Sequence, residues 1–259
     1  KEVQVEFTYE GVKFIIDNYT REAGVRELER QISSCCRKAV VELLKNKETK
    51  SITLDVEKVK EYLGTVKFEY SEKEKESQVG VVTGLAYTEF GGDILPIEVT
   101  YFEGRNELVL TGNLGNVMKE SASIALDYVK ANCVKYGIEP SFFDKHTLHI
   151  HVPEGAVPKD GPSAGIALTT CIISCLTNKK VKATVAMTGE VNLRGQALPI
   201  GGLKEKSLAA LRSGIKTIII PKGNEKDLQD LPLEVREKLN IVIMNNVDDA
   251  LKVAFENND

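Results

Sequence analysis

Gly161-Pro162-Ser163-Ala164-Gly165-Ile166-Ala167-Leu168-Thr169-Thr170-Cys171-Ile172-Ile173-Ser174-Cys175-Leu176-Thr177-Asn178 is the longest uncharged stretch of this 259-residue chain. Pro162, Ser163, Gly165, Thr169, Thr170 and Ser174 dilute it, and a spanning helix wants about 20 predominantly apolar residues. The stretch therefore reads as a core helix over Ser163–Leu176 rather than a membrane segment. Its neighbours have strand character, Thr147–Val152 before it and Thr184–Thr188 after it. Working outward, Val79–Tyr87, Gly92–Phe102, Glu107–Thr111 and Thr217–Ile220 read as further strands, the last closed by Pro221. Asn116–Tyr136, Leu203–Ser213 and Asp248–Phe255 read as helices. Interleaved strands and helices predict an α/β (α+β) domain over residues 79–259.

The composition shifts near residue 76. Residues 1–76 hold 31 charged residues and three glycines, Gly11, Gly24 and Gly64; the rest hold 41 and 17. Helical spacing over Tyr9–Asn18, Val25–Leu44 and Leu54–Leu63, the last with Asp55 near its start and Gly64 past its end, predicts a small all-α bundle over 1–64. Residues 65–78, with the run Ser71-Glu72-Lys73-Glu74-Lys75-Glu76, form the expected linker.

A net charge of −4 gives no support to a protein that grips nucleic acid by charge alone. Cys35, Cys36, Cys133, Cys171 and Cys175 are an odd set without a metal-type CxxC, which fits a reducing compartment. No signal peptide is visible, and a chain opening on Lys1 is expected to be a fragment of a longer protein. Gly-x-x-x-x-Gly-Lys-[Ser/Thr] occurs nowhere.

Ser163 opens the apolar helix, where unpaired backbone N–H groups and the positive helix end could hold an oxyanion; the plainer reading is an N-cap serine. Gly161-Pro162-Ser163-Ala164-Gly165 matches the Gly-x-Ser-x-Gly elbow of α/β-hydrolases, but His146, His149 and His151 all precede the serine, which excludes that order. His149 and His151 share a strand face, and Asp160 lies three residues before Ser163, an awkward triad. No further zinc ligands are marked. The remaining base is a lysine, which can serve if burial lowers its pKa. Gly201-Gly202-Leu203-Lys204-Glu205-Lys206 offers two that diverge by about 200° on a helix, and Leu203, Leu208 and Leu211 centre the apolar face slightly nearer Lys204. The wheel does not choose between them.

Longer strings carry a resemblance. His151-Val152-Pro153-Glu154-Gly155-Ala156-Val157-Pro158-Lys159-Asp160-Gly161-Pro162-Ser163-Ala164-Gly165 resembles the nucleophile signature of the Lon protease family. Ala186-Met187-Thr188-Gly189-Glu190-Val191-Asn192-Leu193-Arg194-Gly195 and Leu198-Pro199-Ile200-Gly201-Gly202-Leu203-Lys204-Glu205-Lys206 resemble its next two, in family order. Tyr19-Thr20-Arg21-Glu22-Ala23-Gly24-Val25-Arg26-Glu27-Leu28-Glu29-Arg30 is similar to the small helical subdomain that closes a Lon AAA+ module.

The resemblance implies a Ser–Lys dyad, with Ser163 as nucleophile, Lys206 as general base and Thr188 supporting the lysine. His149, His151, Asp160 and Glu98 match positions near that site, as does Tyr87, where the family often has Trp. Arg26 matches a sensor arginine that approaches ATP. It further implies ATP and Mg2+ for the full-length protein, no metal in the proteolytic chemistry, a homohexameric ring, unfolded or degron-bearing substrates, no membrane, and a bacterial cytoplasm, with the mitochondrial matrix as runner-up. The competing readings are an ATP-independent Lon-like peptidase and a non-catalytic assembly or DNA-binding module.

Overall fold

The structure is a computed structural model that describes residues 4–22, 24–46, 51–68, 76–88, 91–154 and 157–256. The chain divides into two compact units, residues 1–71 with 89–91, and residues 72–88 with 92–259.

The first unit carries β1 (Gln4–Phe7), α1 (Tyr9–Tyr19), α2 (Arg26–Lys45), β2 (Ser51–Leu54) and α3 (Val56–Leu63). All three helices expected from the sequence are present. Thr8 caps α1 by accepting from Gly11 N, and Asp55 caps α3 by accepting from Lys58 N, so both helices start where a short oxygen-bearing side chain meets orphan amides. The Glu22 carboxylate does the same for α2, accepting from Glu27 N and Leu28 N at 2.9 Å each. The unit is not purely helical, because β1 and β2 pair in parallel, Gln4 opposite Ser51. Four-residue strands carry too little periodicity to announce themselves. Ile15, Tyr19, Cys35, Ala39, Leu54 and Val59 form its core. Val66 packs against that core, and the amides of Lys67 and Phe68 donate to Asn18 O, so this unit continues past residue 64. Residues 69–75 of the expected linker lie outside the described residues.

The second unit contains a seven-stranded sheet. In chain order the elements are β3 (Gln78–Val79), β4 (Val81–Thr88), β5 (Gly91–Glu103), β6 (Glu107–Thr111), α4 (Asn116–Ala131), β7 (His146–His151), α5 (Gly165–Thr177) and β8 (Lys180–Val181). They continue with β9 (Val185–Met187), β10 (Glu190–Val191), β11 (Ala197–Leu198), α6 (Leu203–Arg212), β12 (Thr217–Pro221), α7 (Leu233–Lys238), β13 (Asn240–Met244) and α8 (Val247–Ala254). The sheet order is β13-β12-β9-β4-β5-β7-β6.

The two halves of this sheet are built differently. β13, β12, β9 and β4 run parallel. Their strands are covered on both faces, which is why Thr217-Ile218-Ile219-Ile220-Pro221 is an unbroken apolar run. Ile219 and Met187 join the core with α4, α5 and α8, whereas Ile218, Ile220 and Ala186 pack with Leu203, Ala210 and Val235 of α6 and α7. In the other half, β7 pairs antiparallel with β5 and parallel with β6, and its residues alternate. Leu148 and Ile150 are buried, while His149 and His151 lie on the opposite, half-buried face.

Helix α5 is the expected core helix. It packs against β4, α4, α8 and β10, so it is apolar all round. Burial of Ile166, Leu168, Ile172 and Ile173 contributes on the order of 2 kcal/mol each. The expected helix over 116–136 is two pieces: α4 ends at Ala131, and a 3₁₀ turn, Cys133–Tyr136, runs to Gly137 in the left-handed conformation. Among the described residues no helix is long and apolar enough to cross a membrane.

Candidate active site

Ser163 lies in the turn that enters α5, two residues before the helix begins, and is half-buried. It is not an N-cap. Ala164 holds the cap position and no side chain caps the helix, so the hydroxyl is not committed to the helix amides. The Ser163 carbonyl is the group that is held: Gly189 N donates to it at 2.8 Å and Thr188 Oγ1 at 3.4 Å. Ile166 N donates back to Gly189 O at 3.0 Å, which clamps the start of α5 to the segment after β9. Thr188 N in turn donates to Ile219 O of β12 at 3.1 Å. The serine is thus fixed to the middle of the sheet by main-chain bonds.

Amide groups around the serine are unequally used. Gly161 N donates to Asp160 Oδ1 and Gly165 N to Pro162 O. Among the described residues, Ser163 N and Ala164 N make no hydrogen bond.

The two lysines of α6 separate cleanly. Lys206 is 2% exposed, whereas Lys204 is exposed. The helical wheel left the two open, with its apolar centre slightly nearer Lys204; of the two only Lys206 is buried. The buried side of α6 is made of Leu203, Lys206, Ser207, Ala209 and Ala210, while Leu208 and Leu211 are only half-buried. Small residues mark the closely packed side, and large ones misplaced the centre.

Lys206 Nζ donates to Thr188 Oγ1 at 3.2 Å. Among the described residues no carboxylate pairs with it, and desolvation pulls its pKa down to about 8. No hydrogen bond joins Ser163 Oγ directly to Lys206 Nζ among the described residues; Thr188 Oγ1 bonds both Lys206 Nζ and the Ser163 carbonyl. Gly202 precedes α6 in the left-handed conformation (φ 70°), and a Cβ there would lie 2.9 Å from ring atoms of Tyr87. Tyr87 thus packs on the entry to the helix that carries Lys206.

Asp160 is occupied elsewhere. Its Oδ1 accepts from Met118 N at 2.9 Å and Gly161 N at 2.8 Å, capping α4, and these bonds lower its pKa below the usual carboxylate value. It braces the turn before Ser163 and, among the described residues, bonds no histidine.

His149 and His151 do share a face. Thr111 Oγ1 lies 2.8 Å from His149 Nε2 and 2.7 Å from His151 Nδ1, so one hydroxyl bridges both rings. Glu98 of β5 stands directly opposite His151 in the ladder and is exposed. Thr111 was missed from sequence; its only signal is its register opposite His151 on β6. Among the described residues no three His, Cys, Asp or Glu side chains converge as a metal-binding set. Arg26 is the first residue of α2 and is exposed.

The structure thus places a half-buried serine at a helix entrance and a desolvated lysine, each hydrogen-bonded to Thr188. Family comparison supplies the class. The model for the Lon protease (S16) C-terminal proteolytic domain matches residues 53–257, and that for the Lon protease AAA+ ATPase lid domain matches residues 1–52. The chain belongs to the Lon protease family and carries its proteolytic domain.

Similar curated proteins include Lon protease of Mycoplasma mycoides, 56% identical over 257 residues, which is 99% of this chain and 32% of that protein. Lon protease of Vibrio parahaemolyticus is 53% identical over 242 residues, covering 93% of this chain and 31% of the relative. Lon protease of Escherichia coli K12 is 53% identical over 243 residues, 94% of this chain and 31% of its own length. The chain spans about a third of the length of the curated relatives it matches.

Proposed function

We propose that this chain is the lid subdomain and proteolytic part of an ATP-dependent serine endopeptidase, with Ser163 as nucleophile and Lys206 as general base. One observation carries the reading: Lys206 is buried, held by Thr188 and shifted to about 8, so a useful fraction is neutral near physiological pH. With that pKa about one molecule in ten holds the free amine at pH 7.

In the reaction, neutral Lys206 takes the Ser163 hydroxyl proton as Oγ attacks the peptide carbonyl. Sites without substrate commonly hold such a contact long and tighten it on binding. The oxyanion takes hydrogen bonds from Ser163 N–H and Ala164 N–H. Collapse breaks the C–N bond, and Lys206 returns its proton to the leaving amine. A water deprotonated by Lys206 then attacks the acyl ester, releasing the acid and restoring the serine. Thr188 keeps the lysine aimed throughout.

The match of residues 1–52 to an AAA+ lid domain supports ATP dependence in the full-length protein. On this reading ATP and Mg2+ bind where the P-loop lies, outside these residues, and Arg26 faces the nucleotide as a sensor. The protein works as a homohexameric ring whose sites face a closed chamber. It degrades misfolded, damaged and short-lived regulatory proteins in the bacterial cytoplasm, and a net charge of −4 lends no support to a DNA contact.

The test is degradation of an unfolded protein such as casein by the full-length protein. Degradation that requires Mg-ATP and is lost in Ser163→Ala is expected. Casein degraded equally well without nucleotide would favour the ATP-independent alternative.

A further inference from the structure

Lys159 is four residues before Ser163, and its ammonium is spent on main-chain carbonyls. Nζ donates to Gly112 O at 3.0 Å, Glu154 O at 2.7 Å and Val157 O at 3.1 Å. An ammonium has three donors, and all three are used. The acceptors come from two segments: the turn after β6 supplies Gly112, and the loop after β7 supplies Glu154 and Val157. Main-chain bonds beside them reinforce the join. Lys159 N donates to Asn113 O at 3.1 Å, and Gly115 N donates to Lys159 O at 2.7 Å. Within the loop, Val157 N donates to Glu154 O at 2.9 Å, and Glu154 holds the left-handed conformation (φ 63°) that a non-glycine residue keeps only when its surroundings impose it. Burial lowers the pKa of Lys159, with Glu154 opposing the shift, as expected of an ammonium drawn in beneath the loop.

Two neighbours therefore divide the work. Asp160 fixes the segment downstream, through Gly161 N and the start of α4. Every acceptor of the Lys159 ammonium lies upstream. Removing that ammonium would take one hydrogen bond each from Gly112, Glu154 and Val157 and loosen the loop there, while leaving the turn before Ser163 braced. A polypeptide with its scissile carbonyl at Ser163 extends about 3.3 Å per residue to either side. The segment leading into the serine adjoins that position in the chain, and Val157 in it is 37% exposed.

We propose that Lys159 is a positioning residue that shapes this segment as a surface for bound polypeptide, acting on substrate binding and not on the Ser163 hydroxyl. The inference rests on the serine-peptidase reading above and deepens it.

Steady-state hydrolysis of a short fluorogenic peptide by the full-length protein tests it, with active sites counted by a fluorophosphonate probe of Ser163. Lys159→Met removes all three donors at similar volume. Its KM is expected to rise about tenfold or more, with kcat per labelled site within about threefold of wild type. Lys159→Arg keeps the charge but cannot gather three convergent carbonyls with a planar fork, so its KM falls between the two. Loss of folded protein lowers the labelled fraction without raising KM, so it does not imitate this result. An unchanged KM in Lys159→Met, or a loss confined to kcat and probe labelling, overturns the proposal. A wild-type protein silent toward both peptide and probe contradicts the peptidase reading itself.

Discussion

Lys206 reaches Ser163 through Thr188: Nζ donates to Thr188 Oγ1 at 3.2 Å, and that hydroxyl donates to the Ser163 carbonyl at 3.4 Å. One threonine thus ties the lysine of α6 to the backbone of the serine that precedes α5. The hydroxyl is fully buried, so neither of its bonds competes with water.

Activity should follow deprotonation of Lys206. Its pKa is lowered to about 8 by desolvation, so the free base grows as pH rises through that value. Between pH 7 and pH 9 kcat should increase about tenfold. A peptide-hydrolysis profile across pH 6–10 checks this, and an acid optimum would contradict a lysine base.

Thr188→Val removes the hydroxyl at nearly constant volume. The buried ammonium then lacks its acceptor, which penalises the charged form further and moves the lower limb of the pH profile below that of wild type. Loss of aim should also reduce kcat about tenfold, the effect of one buried hydrogen bond. Thr188→Ser should restore both.

The same lysine is expected to weaken the fold. Its pKa is about 8 when folded, against 10.5 for the ordinary group, so the folded state releases the proton first as pH rises. Below about pH 8 the cost of the buried charge is fully present; it fades as pH climbs toward 10.5. Lys206→Met should therefore stabilise the protein at pH 7 by about 2 kcal/mol after the lost Thr188 bond is counted. Denaturant titrations at pH 7 and pH 10 should show that advantage shrinking at the higher pH.

Gly115 tests the brace formed by Asp160. A Cβ at Gly115 would lie 2.2 Å from Asp160 Cγ, so Gly115→Ala must displace the carboxylate from the amides of Met118 and Gly161. Slower fluorophosphonate labelling of Ser163, by about tenfold, and a lower thermal midpoint are expected together. Normal labelling would show that the serine does not depend on this brace.

Much of this architecture could be read from periodicity. The apolar run after Ser163 and the alternation in His146-Thr147-Leu148-His149-Ile150-His151 each reported how many faces their element buries. What stayed hidden was short or cooperative. The pairing of Gln4–Phe7 with Ser51–Leu54 needs partners nearly fifty residues apart, and β13 continues a sheet already begun. Within the site, Ser163 stood out by its place before the helix. The choice of Lys206 over Lys204 came from resemblance, because α6 turns Ser207, Ala209 and Ala210 inward and those residues scarcely register on a wheel. Thr111, which bridges both histidines, was invisible without the strand register.

The most direct measurement is hydrolysis of a short, unstructured fluorogenic peptide by the full-length protein, by Ser163→Ala and by Lys206→Ala, with assembly checked in each. A short peptide needs no unfolding, so turnover reports the serine and lysine alone. Turnover in the wild type and none in either variant, at unchanged assembly, is the expected result. Turnover that survives in Ser163→Ala would contradict the assignment of the nucleophile and, with it, the Ser–Lys mechanism.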